Sequence, residues 1–255
     1  MNLQGKAALV TGAARGVGRA TVLQLARLGC SSLINYNSSR ADAEATAAEA
    51  RALGVKAVCF QGSVAEDAAC RGMVAAAVQA FGRLDFLVNN AGATRFIPHG
   101  DLEAVQDDDW AKILFTNLKG PFQCARAARP HLEASGAGHI VSVASTAAYN
   151  ANGSSIPYGA SKAGLVNLTV SLARALAPKI QVNAVAPGII AGEWVKGGWG
   201  DQYEAKLQER IAQAPLRKVC GPDDVAAAIL GLITGSPLVT GQIHVIDGGA
   251  NLVVR

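Results

Sequence analysis

Short apolar segments alternate along the whole chain with longer segments of helical periodicity. The short segments are rich in Val, Ile and Leu and lack a polar face, which is typical of strands that are buried on both sides. The predicted strands are 7–10, 32–36, 57–60, 86–88, 140–143, 181–184 and 243–246. The predicted helices are 19–28, 41–53, 67–81, 109–129, 158–176 and 223–234. This alternation predicts an α/β fold with one doubly wound parallel sheet of about seven strands and helices on both faces.

The composition agrees with a single large core. Charged residues make up 16% of the 255 residues and hydrophobic residues 50%, whereas an average soluble chain carries about 25% charged residues. No linker or internal repeat divides the sequence, so we expect one domain over residues 1–255. The formal net charge is only +4, and no run of Lys or Arg occurs, which argues against a nucleic-acid ligand.

Neither a membrane span nor export is expected. The most apolar stretch, 225–233, is half as long as the roughly 18 residues that a spanning helix needs, and the first residues lack the parts of a signal peptide. The cysteines stand singly, without the spacing of a zinc site, which indicates reduced thiols and no metal. They are Cys30, Cys59, Cys70, Cys124 and Cys220. We therefore expect a cytoplasmic protein.

The alternation of strands and helices lapses over residues 189–215. Irregular segments of this length are uncommon inside a domain and are often functional. Glycines at 197, 198 and 200 can act as hinges, and Trp194, Trp199 and Tyr203 can cover a site. We predict that this segment is a substrate lid.

A glycine-rich turn, TGAARGVG at 11–18, joins the first predicted strand to the first predicted helix. Glycine lets the backbone approach a pyrophosphate, and the start of the helix offers free N–H groups to the anion. A P-loop is excluded because no Lys-Ser or Lys-Thr pair follows the glycines. A glycine-rich turn is a weak signal when it stands alone, so a plain tight turn remains an alternative. The functional interpretation is a dinucleotide site.

The end of the second predicted strand indicates which dinucleotide binds. Chains that bind NAD usually have an Asp or Glu about 20 residues after the glycine turn, where it holds the ribose 2′-hydroxyl. Here the sequence reads NYNSSR at 35–40 and contains no acid. Arg15, Ser38, Ser39 and Arg40 could bind a 2′-phosphate by charge-assisted hydrogen bonds. We predict NADP(H), with NAD(H) less favoured. The alternative is that both arginines are ordinary solvated side chains.

Residues 134–161 contain no Asp, Glu, Lys or Arg, and the candidate catalytic residues lie in or beside this stretch. Tyr158 and Lys162 are four residues apart and share one face of a helix. A nearby ammonium favours the phenolate, so we expect the Tyr158 pKa to fall from its usual value of about 10 toward neutrality. Ser145 follows the predicted strand 140–143, at the sheet edge where ligands bind. These residues predict acid/base chemistry on a carbonyl or alcohol.

From about Gly5 to Gly249, the chain resembles the short-chain dehydrogenase/reductase family. The matching motifs are TGAARGVG at 11–18, NNAG at 89–92, Asn117 in TNLKG, Ser145 thirteen residues before Tyr158, YGASK at 158–162 and VNAVAPG at 182–188. The segments NYNSS and VTGQIHVIDGG resemble the 3-oxoacyl-carrier-protein reductase branch. The resemblance implies a Rossmann-type fold and a homotetramer or homodimer.

The resemblance also implies roles for the site residues. Tyr158 would exchange a proton with the substrate oxygen while a hydride moves to or from the nicotinamide. Lys162 would tune Tyr158 and bind the nicotinamide ribose, Ser145 would polarise the carbonyl, and Asn117 would hold a water that relays protons. The implied cofactor-binding residues are Gly12, Arg15, Gly16, Val17, Gly18, Asn37, Ser38, Ser63, Val64, Asn90, Ala91, Gly92, Tyr158, Lys162, Pro187, Gly188 and Ile190.

Some positions depart from the family pattern. Ser63 stands where an Asp is usual, Gly192 replaces a Thr, and a glycine is missing from the segment 216–225. The region 134–138 lacks the base that would help to dock a carrier protein, and only Lys179 stands near the second docking position. Carrier-protein docking is therefore doubtful, and a sugar or another secondary alcohol remains an alternative substrate.

The substrate walls are expected in the segments 94–107 and 147–157 and in the lid. Candidate wall residues are Phe96, Tyr149, Trp194 and Trp199, which could equally be packing residues. A function of another class is a non-catalytic module that senses NADP. That alternative predicts that catalytic residues have been replaced by other residue types. The four catalytic residues are all present, namely Asn117, Ser145, Tyr158 and Lys162.

Overall fold

All seven predicted strands form one parallel sheet in the computed structural model, which describes residues 2–252. The strands are β1 (Ala7–Val10), β2 (Ser31–Tyr36), β3 (Ala57–Gln61), β4 (Phe86–Asn89), β5 (Gly138–Val143), β6 (Ile180–Pro187) and β7 (Ile243–Ile246). Their order in the sheet is β3-β2-β1-β4-β5-β6-β7. The order reverses direction between β1 and β4, which creates the switch point where open α/β sheets bind ligands.

Ten α-helices connect the strands of the described chain or follow them. They are α1 (Gly16–Arg27), α2 (Arg40–Ala52), α3 (Asp67–Phe81), α4 (Asp107–Leu114), α5 (Gly120–Ala134), α6 (Ala147–Asn150), α7 (Ile156–Leu176), α8 (Glu193–Trp199), α9 (Tyr203–Gln213) and α10 (Pro222–Thr234). A π-helical segment covers Phe115–Lys119, and short 3₁₀ turns cover Gly200–Gln202 and Ala250–Leu252. None of the helices within residues 2–252 is long and apolar enough to cross a membrane.

The sheet is buried on both faces, as its apolar strands predict. Successive side chains alternate between the faces, so Val10 and Val88 pack with α1, α2 and α10. Leu9 and Leu87 point the other way and pack with α3, α5 and α7. The two helical layers hold the carboxyl ends of the central strands in fixed positions.

The single helix predicted over 109–129 is wrong, because this region consists of α4, the π-helical segment and α5. In a regular helix, the N–H of residue 121 would donate to the carbonyl of Asn117, but residue 121 is proline and has no N–H. The backbone widens instead, and the N–H of Gly120 donates to the carbonyl of Phe115, five residues earlier. Asn117 therefore lies on a distorted turn of the kind that is often found at functional sites.

The absence of regular structure predicted for 189–215 is also wrong, since the segment contains α8 and α9. The sequence of α9, YEAKLQERIAQ, is rich in strong helix formers. None of its residues is buried, so the helix lies on the surface and adds little to the core.

Candidate active site

The predicted site residues follow the carboxyl ends of β1, β4, β5 and β6, four neighbouring strands of the sheet. Because these strands are parallel, their carboxyl ends meet at the same edge. The glycine-rich turn, the segment 90–93, Ser145 and the segment 187–190 are thereby brought together at the switch point.

Two glycines allow the turn after β1 to contact the segment after β4. Gly12 has a left-handed φ of +60°, and a Cβ atom there would lie 2.8 Å from the Cα of Ala91. A Cβ on Gly18 would lie 2.6 Å from the side-chain nitrogen of Asn90. No other residue type fits either position without a shift of the backbone.

Asn90 was expected to line the cofactor, but its side chain binds the glycine-rich turn. Its Nδ2 donates to the carbonyls of Thr11 and Gly12 at 2.8 and 3.0 Å. In return, the Thr11 hydroxyl accepts from the N–H groups of Asn90 and Ala91, both at 3.0 Å. These bonds use the side chain of Asn90 to fix the shape of the turn.

Asn35 is a positioning residue that the sequence analysis missed. It is buried in β2, where its Oδ1 accepts from the N–H of Gly12 at 3.1 Å. Its Nδ2 donates to the carbonyl of Gly62 at 2.9 Å, at the end of β3. A lone amide inside an apolar strand was the available signal, because a buried polar side chain needs partners.

The start of α1 suits a pyrophosphate. No side chain caps its first turn, so free N–H groups and the positive end of the helix dipole face outward. Gly16 is exposed, with nothing within 4 Å of the position that a Cβ would take. Val17 is half-buried beside it. This cradle has room for an anionic group.

The predicted 2′-phosphate residues lie together at the surface. The guanidinium Nη2 of Arg15 donates to the hydroxyl of Ser39 at 3.2 Å. Asn37, Ser38 and Arg40 are exposed in the same short segment after β2. The segment thus combines positive charge with hydroxyl donors and contains no carboxylate.

Val64, a predicted cofactor contact, has its side chain in the core. It is 6% exposed, and its Cγ2 lies 2.9 Å from where a Cβ on Gly120 would be. Its carbonyl accepts from Nε2 of Gln123 at 2.9 Å. Because the side chain of Val64 packs against α5, only its backbone would be available to a cofactor, and the predicted contact by Val64 stays a prediction. Ser63 is half-buried, and its hydroxyl accepts from the N–H of Ala65 at 3.3 Å.

Tyr158 and Ser145 are joined at the centre of the site. Tyr158 lies in the first turn of α7, where the N-cap residue Ser155 accepts from its N–H at 3.4 Å. The side chain of Ser145 is close enough to its phenol to lower the pKa of Tyr158. The Ser145 hydroxyl also accepts from the N–H of Ala147 at 3.1 Å, which orients its oxygen.

Lys162 is one turn further along α7 and is only 4% exposed. Its Nζ donates to the carbonyl of Val143 at 2.7 Å and lies 5.6 Å from the centre of the Tyr158 ring. Because burial disfavours the charged ammonium, the Lys162 pKa falls from 10.5 to about 8.

The expected lowering of the Tyr158 pKa is wrong for this arrangement. Burial of the phenol raises the Tyr158 pKa above 10.0, and the neighbouring Ser145 side chain offsets only part of that effect. The physical reason is that desolvation disfavours the phenolate, while the Lys162 ammonium is bound to the carbonyl of Val143. Tyr158 is therefore a neutral phenol at neutral pH.

Both polar atoms of the Asn117 side chain are hydrogen-bonded to other parts of the protein. Its Oδ1 accepts from the N–H of Ala93 at 2.7 Å, and its Nδ2 donates to the carbonyl of Ala93 at 2.9 Å. The same Nδ2 donates to the hydroxyl of Ser161 at 3.0 Å. Asn117 thus fixes the segment that also contains Ala91 and Gly92.

The segment after β6 is held from two sides. The carbonyl of Pro187 accepts from the N–H of Thr146 at 2.9 Å, and the N–H of Gly188 donates to Ile246 at 2.8 Å. Ile190 pairs with Cys220 in an isolated bridge. These predicted cofactor residues therefore border Ser145 on a rigid support.

The segment 189–215, which the sequence predicts to be a lid, lies against the loop 94–99. Phe96 packs directly on Gly198, where a Cβ would collide with the ring, and Trp194 lies 3.8 Å from the position of a Cβ on Gly92. Phe96 and Trp194 remain partly exposed, as does Tyr149. Aromatic rings therefore border the site on the side of the lid.

The chain matches the family model described as "Enoyl-(Acyl carrier protein) reductase" over residues 12–251. A relative from Streptomyces violaceoruber, named as ketoacyl reductase 2 of the granaticin polyketide synthase, is 42% identical over 96% of each chain. The 3-oxoacyl-[acyl-carrier-protein] reductase FabG of Staphylococcus aureus is 38% identical, over 96% of this chain and 97% of the relative.

Solved structures agree with this likeness. A short-chain dehydrogenase from Burkholderia cenocepacia in complex with NADP is 36% identical, with a TM-score of 0.88 over 98% of this chain and 100% of that chain. An NAD⁺-bound xylitol dehydrogenase is 31% identical, with a TM-score of 0.88 and the same coverage. Similar chains therefore bind either nicotinamide dinucleotide.

Proposed function

The chain belongs to the short-chain dehydrogenase/reductase family and is an oxidoreductase that acts on CH–OH and C=O groups, and we propose that it uses NADP(H) with Tyr158 as general acid/base. The observation that carries this proposal is the grouping of Tyr158 with Ser145 and Lys162, at the same sheet edge as the glycine-rich turn.

The raised pKa of Tyr158 keeps the phenol protonated, and a neutral phenol is the form that gives a proton when a carbonyl is reduced. Bound nicotinamide supplies the hydride. Tyr158 donates its proton to the carbonyl oxygen, and Ser145 donates a hydrogen bond to the same oxygen. The N–H of Ala147 holds the Ser145 oxygen, which leaves the hydroxyl hydrogen available for this bond.

Lys162 supports Tyr158 in this proposal. Its ammonium can stabilise the phenolate that remains after proton transfer, although it now donates to Val143. The side chain of Asn117 is hydrogen-bonded to Ala93 and Ser161, so a relay water would bind the main-chain carbonyl of Asn117 instead. In an α-helix this carbonyl would accept from the N–H of residue 121, but Pro121 has no N–H.

NADP(H) rather than NAD(H) is supported by the contact of Arg15 with Ser39 and by the exposed, acid-free segment 37–40. The residues that would hold the cofactor are those of the glycine-rich turn for the pyrophosphate, Arg15 and Ser38 for the 2′-phosphate, and Gly92, Lys162 and Gly188 near the nicotinamide.

A 3-oxoacyl thioester is the first candidate substrate, because two similar proteins carry the names ketoacyl reductase and 3-oxoacyl-[acyl-carrier-protein] reductase. Delivery by a carrier protein remains doubtful. Lys179, the one base near the expected docking position, lies 3.8 Å from Glu133, and this carboxylate would weaken attraction to an acidic partner. The alternative substrate is a sugar or another secondary alcohol, as in the xylitol dehydrogenase.

The proposal is tested by following NADPH absorbance with purified protein and a panel of carbonyls. The panel contains acetoacetyl-coenzyme A, a ketose and a bulky cyclic ketone. We expect the thioester to be reduced fastest. Faster turnover of the ketose favours the alternative substrate, whereas tight NADPH binding without any turnover supports a non-catalytic sensor and contradicts the proposal.

We further propose a homotetramer or homodimer. Phe115, Phe122 and Val170 expose apolar side chains on the π-helical segment, α5 and α7. Exposed aromatic and aliphatic side chains on packed helices are typical of protein interfaces.

A cytoplasmic location is supported by the cysteines. All five are free, and the sulfurs of Cys70 and Cys124 lie 3.5 Å apart as thiols. Free thiols at such a distance fit a reducing compartment.

A further inference from the structure

Ser161 connects the site residues through two hydrogen bonds. It lies on α7 between Tyr158 and Lys162, and its side chain is fully buried. Its hydroxyl donates to the carbonyl of Tyr158 at 2.7 Å and accepts from Nδ2 of Asn117 at 3.0 Å. Asn117 in turn binds both backbone groups of Ala93. A continuous path of hydrogen bonds therefore runs from the segment after β4 to the backbone of Tyr158.

A helical serine that binds a carbonyl of the preceding turn is common and has no functional meaning by itself. Thr169 on the same helix illustrates the ordinary case, because it is buried and donates to the carbonyl of Leu165 at 2.8 Å. Ser161 differs in accepting a second bond from Asn117, a residue 44 positions earlier on another element. Its hydroxyl therefore joins two elements instead of serving one helix.

The position of Tyr158 makes this connection important. Tyr158 lies in the first turn of α7, where the backbone N–H groups lack the helical partners that N–H groups have in the middle of a helix. Its own N–H is held by a long bond to Ser155, at 3.4 Å. The bond from Ser161 is shorter and ties the Tyr158 carbonyl to the network of Asn117.

We propose that Ser161 is a positioning residue, which holds the backbone of Tyr158 at a fixed distance from Asn117 and hence from Gly92 and Ala93. The inference rests on the proposed function, in which Tyr158 transfers a proton to the carbonyl oxygen of the substrate. Small displacements of a reacting group are costly, since a shift of about 1 Å can lower a rate about 100-fold. The role of Ser161 is thus exerted through Tyr158 and Asn117, without contact with substrate.

The test compares Ser161→Ala with Thr169→Val, since each removes one buried hydroxyl from α7. We expect Ser161→Ala to lower kcat by about tenfold or more and to leave the Kd for NADPH within about twofold, because the glycine-rich turn is unchanged. Thr169→Val should keep kcat within about twofold of the wild type, whatever its effect on thermal stability. Ser161→Thr, which keeps the hydroxyl, should restore most of kcat.

Equal kcat values for Ser161→Ala and Thr169→Val would overturn the inference. If Ser161→Ala does not fold, Ser161→Cys allows the same comparison, because a thiol has a similar size but bonds more weakly. A wild-type protein that reduces no carbonyl refutes the proposed function, and this inference with it. An active wild type with a fully active Ser161→Ala refutes the inference alone.

A double-variant cycle tests the connection through Asn117. If Ser161 acts in the same network, adding Ser161→Ala to Asn117→Ala should lower kcat by less than about twofold further, because coupled residues are not additive. Two losses that multiply fully would contradict the connection through Asn117.

Discussion

At the scale of single residues, burial controls the proton affinity of two side chains on α7, Tyr158 and Lys162. Lys162 and Tyr158 are both shifted toward their neutral forms, the lysine by a lowered pKa of about 8 and the tyrosine by a raised pKa. Neutral forms are cheaper to bury than charged ones. Without a bound cofactor or substrate, the Tyr158 phenol therefore keeps its proton, and burial of the charged Lys162 ammonium is unfavourable.

Lys162 should lower the free energy of unfolding of the protein as well as support catalysis. The unfolded chain keeps the lysine proton up to about pH 10.5, whereas the folded chain loses it near pH 8, so the stability of the wild type should rise with pH between these values. Below pH 8 the cost is about 3 kcal/mol, and the bond to Val143 offsets about half of it. We predict that Lys162→Met is more stable than the wild type at pH 7 by about 1–2 kcal/mol.

Thermal unfolding of both proteins from pH 7 to pH 10 measures this difference, which should shrink as the pH rises above 8. The exposed Lys56→Met serves as control and should leave the pH dependence of the wild type unchanged. The prediction would be contradicted if Lys162→Met were less stable than the wild type at pH 7, or if the difference in stability did not vary with pH. Either result would show that burial of the Lys162 ammonium does not destabilise the fold.

At the scale of elements, the turn between β1 and α1 joins the pyrophosphate cradle to the 2′-phosphate residues. Arg15 is its one long basic side chain, and it already contacts Ser39 across the gap between α1 and β2. A charge-assisted hydrogen bond contributes about 1.5–3 kcal/mol, which corresponds to a change in Kd of about 10–100-fold.

Arg15→Ala should therefore weaken NADPH binding by about 10–100-fold and leave NADH binding within about twofold. Fluorescence titration with each nucleotide measures both values. Arg19→Ala is the matched control, because Arg19 lies four residues after Arg15, in the first turn of α1, but is paired with Glu49 at 2.6 Å. Tighter binding of NADH than of NADPH by the wild type, or an equal loss for both nucleotides, would refute the 2′-phosphate proposal.

Elements with a strong local signal were predictable from the sequence. Each strand is a short apolar run between turn residues, so all seven were found, and the spacing of Tyr158 and Lys162 placed them on one helix. The π-helical segment was missed because it is caused by a hydrogen bond that Pro121 cannot make. The missing bond does not change the spacing of the apolar residues, from which the helix was predicted. The segment 189–215 was predicted as irregular because the glycines at 197, 198 and 200 outweighed the strong helix formers of α9 that follow them.

Contacts between elements were much less predictable. The pair Asn35 and Gly12 is separated by 23 residues, and the pair Asn117 and Ala93 by 24. Neither pair has a periodic spacing, so only the folded sheet brings them together. The direction of the Tyr158 pKa shift was missed for a similar reason, since burial depends on the packing of the whole site.

At the scale of the whole molecule, the exposed apolar side chains predict self-association. Phe115 and Phe122 are each accompanied by a cation over the ring, Lys119 at 4.7 Å and Arg126 at 5.4 Å. Such amphipathic surroundings are common at interfaces, where Phe and Arg are enriched. A stable interface buries at least about 1,200 Å² in total, an area that two helices can supply.

Phe122→Glu should shift the protein toward smaller species. We expect the wild type to run as a tetramer or dimer in size-exclusion chromatography with light scattering, and the variant to contain more dimer or monomer. Leu238→Glu is the control, because Leu238 is 92% exposed on the turn between α10 and β7 and lies on none of these helices. A monomeric wild type would contradict the proposed assembly.

The most direct test of the account is the turnover of Tyr158→Phe with NADPH and the best carbonyl of the panel. The variant removes one oxygen atom from the site, and loss of a general acid lowers rates by about 100- to 10,000-fold. Tyr36→Phe, which removes a phenol oxygen from a buried tyrosine of β2, serves as control. We predict that Tyr158→Phe loses at least about 100-fold in kcat while its Kd for NADPH stays within about twofold. Retention of turnover within about tenfold of the wild type would contradict the central claim.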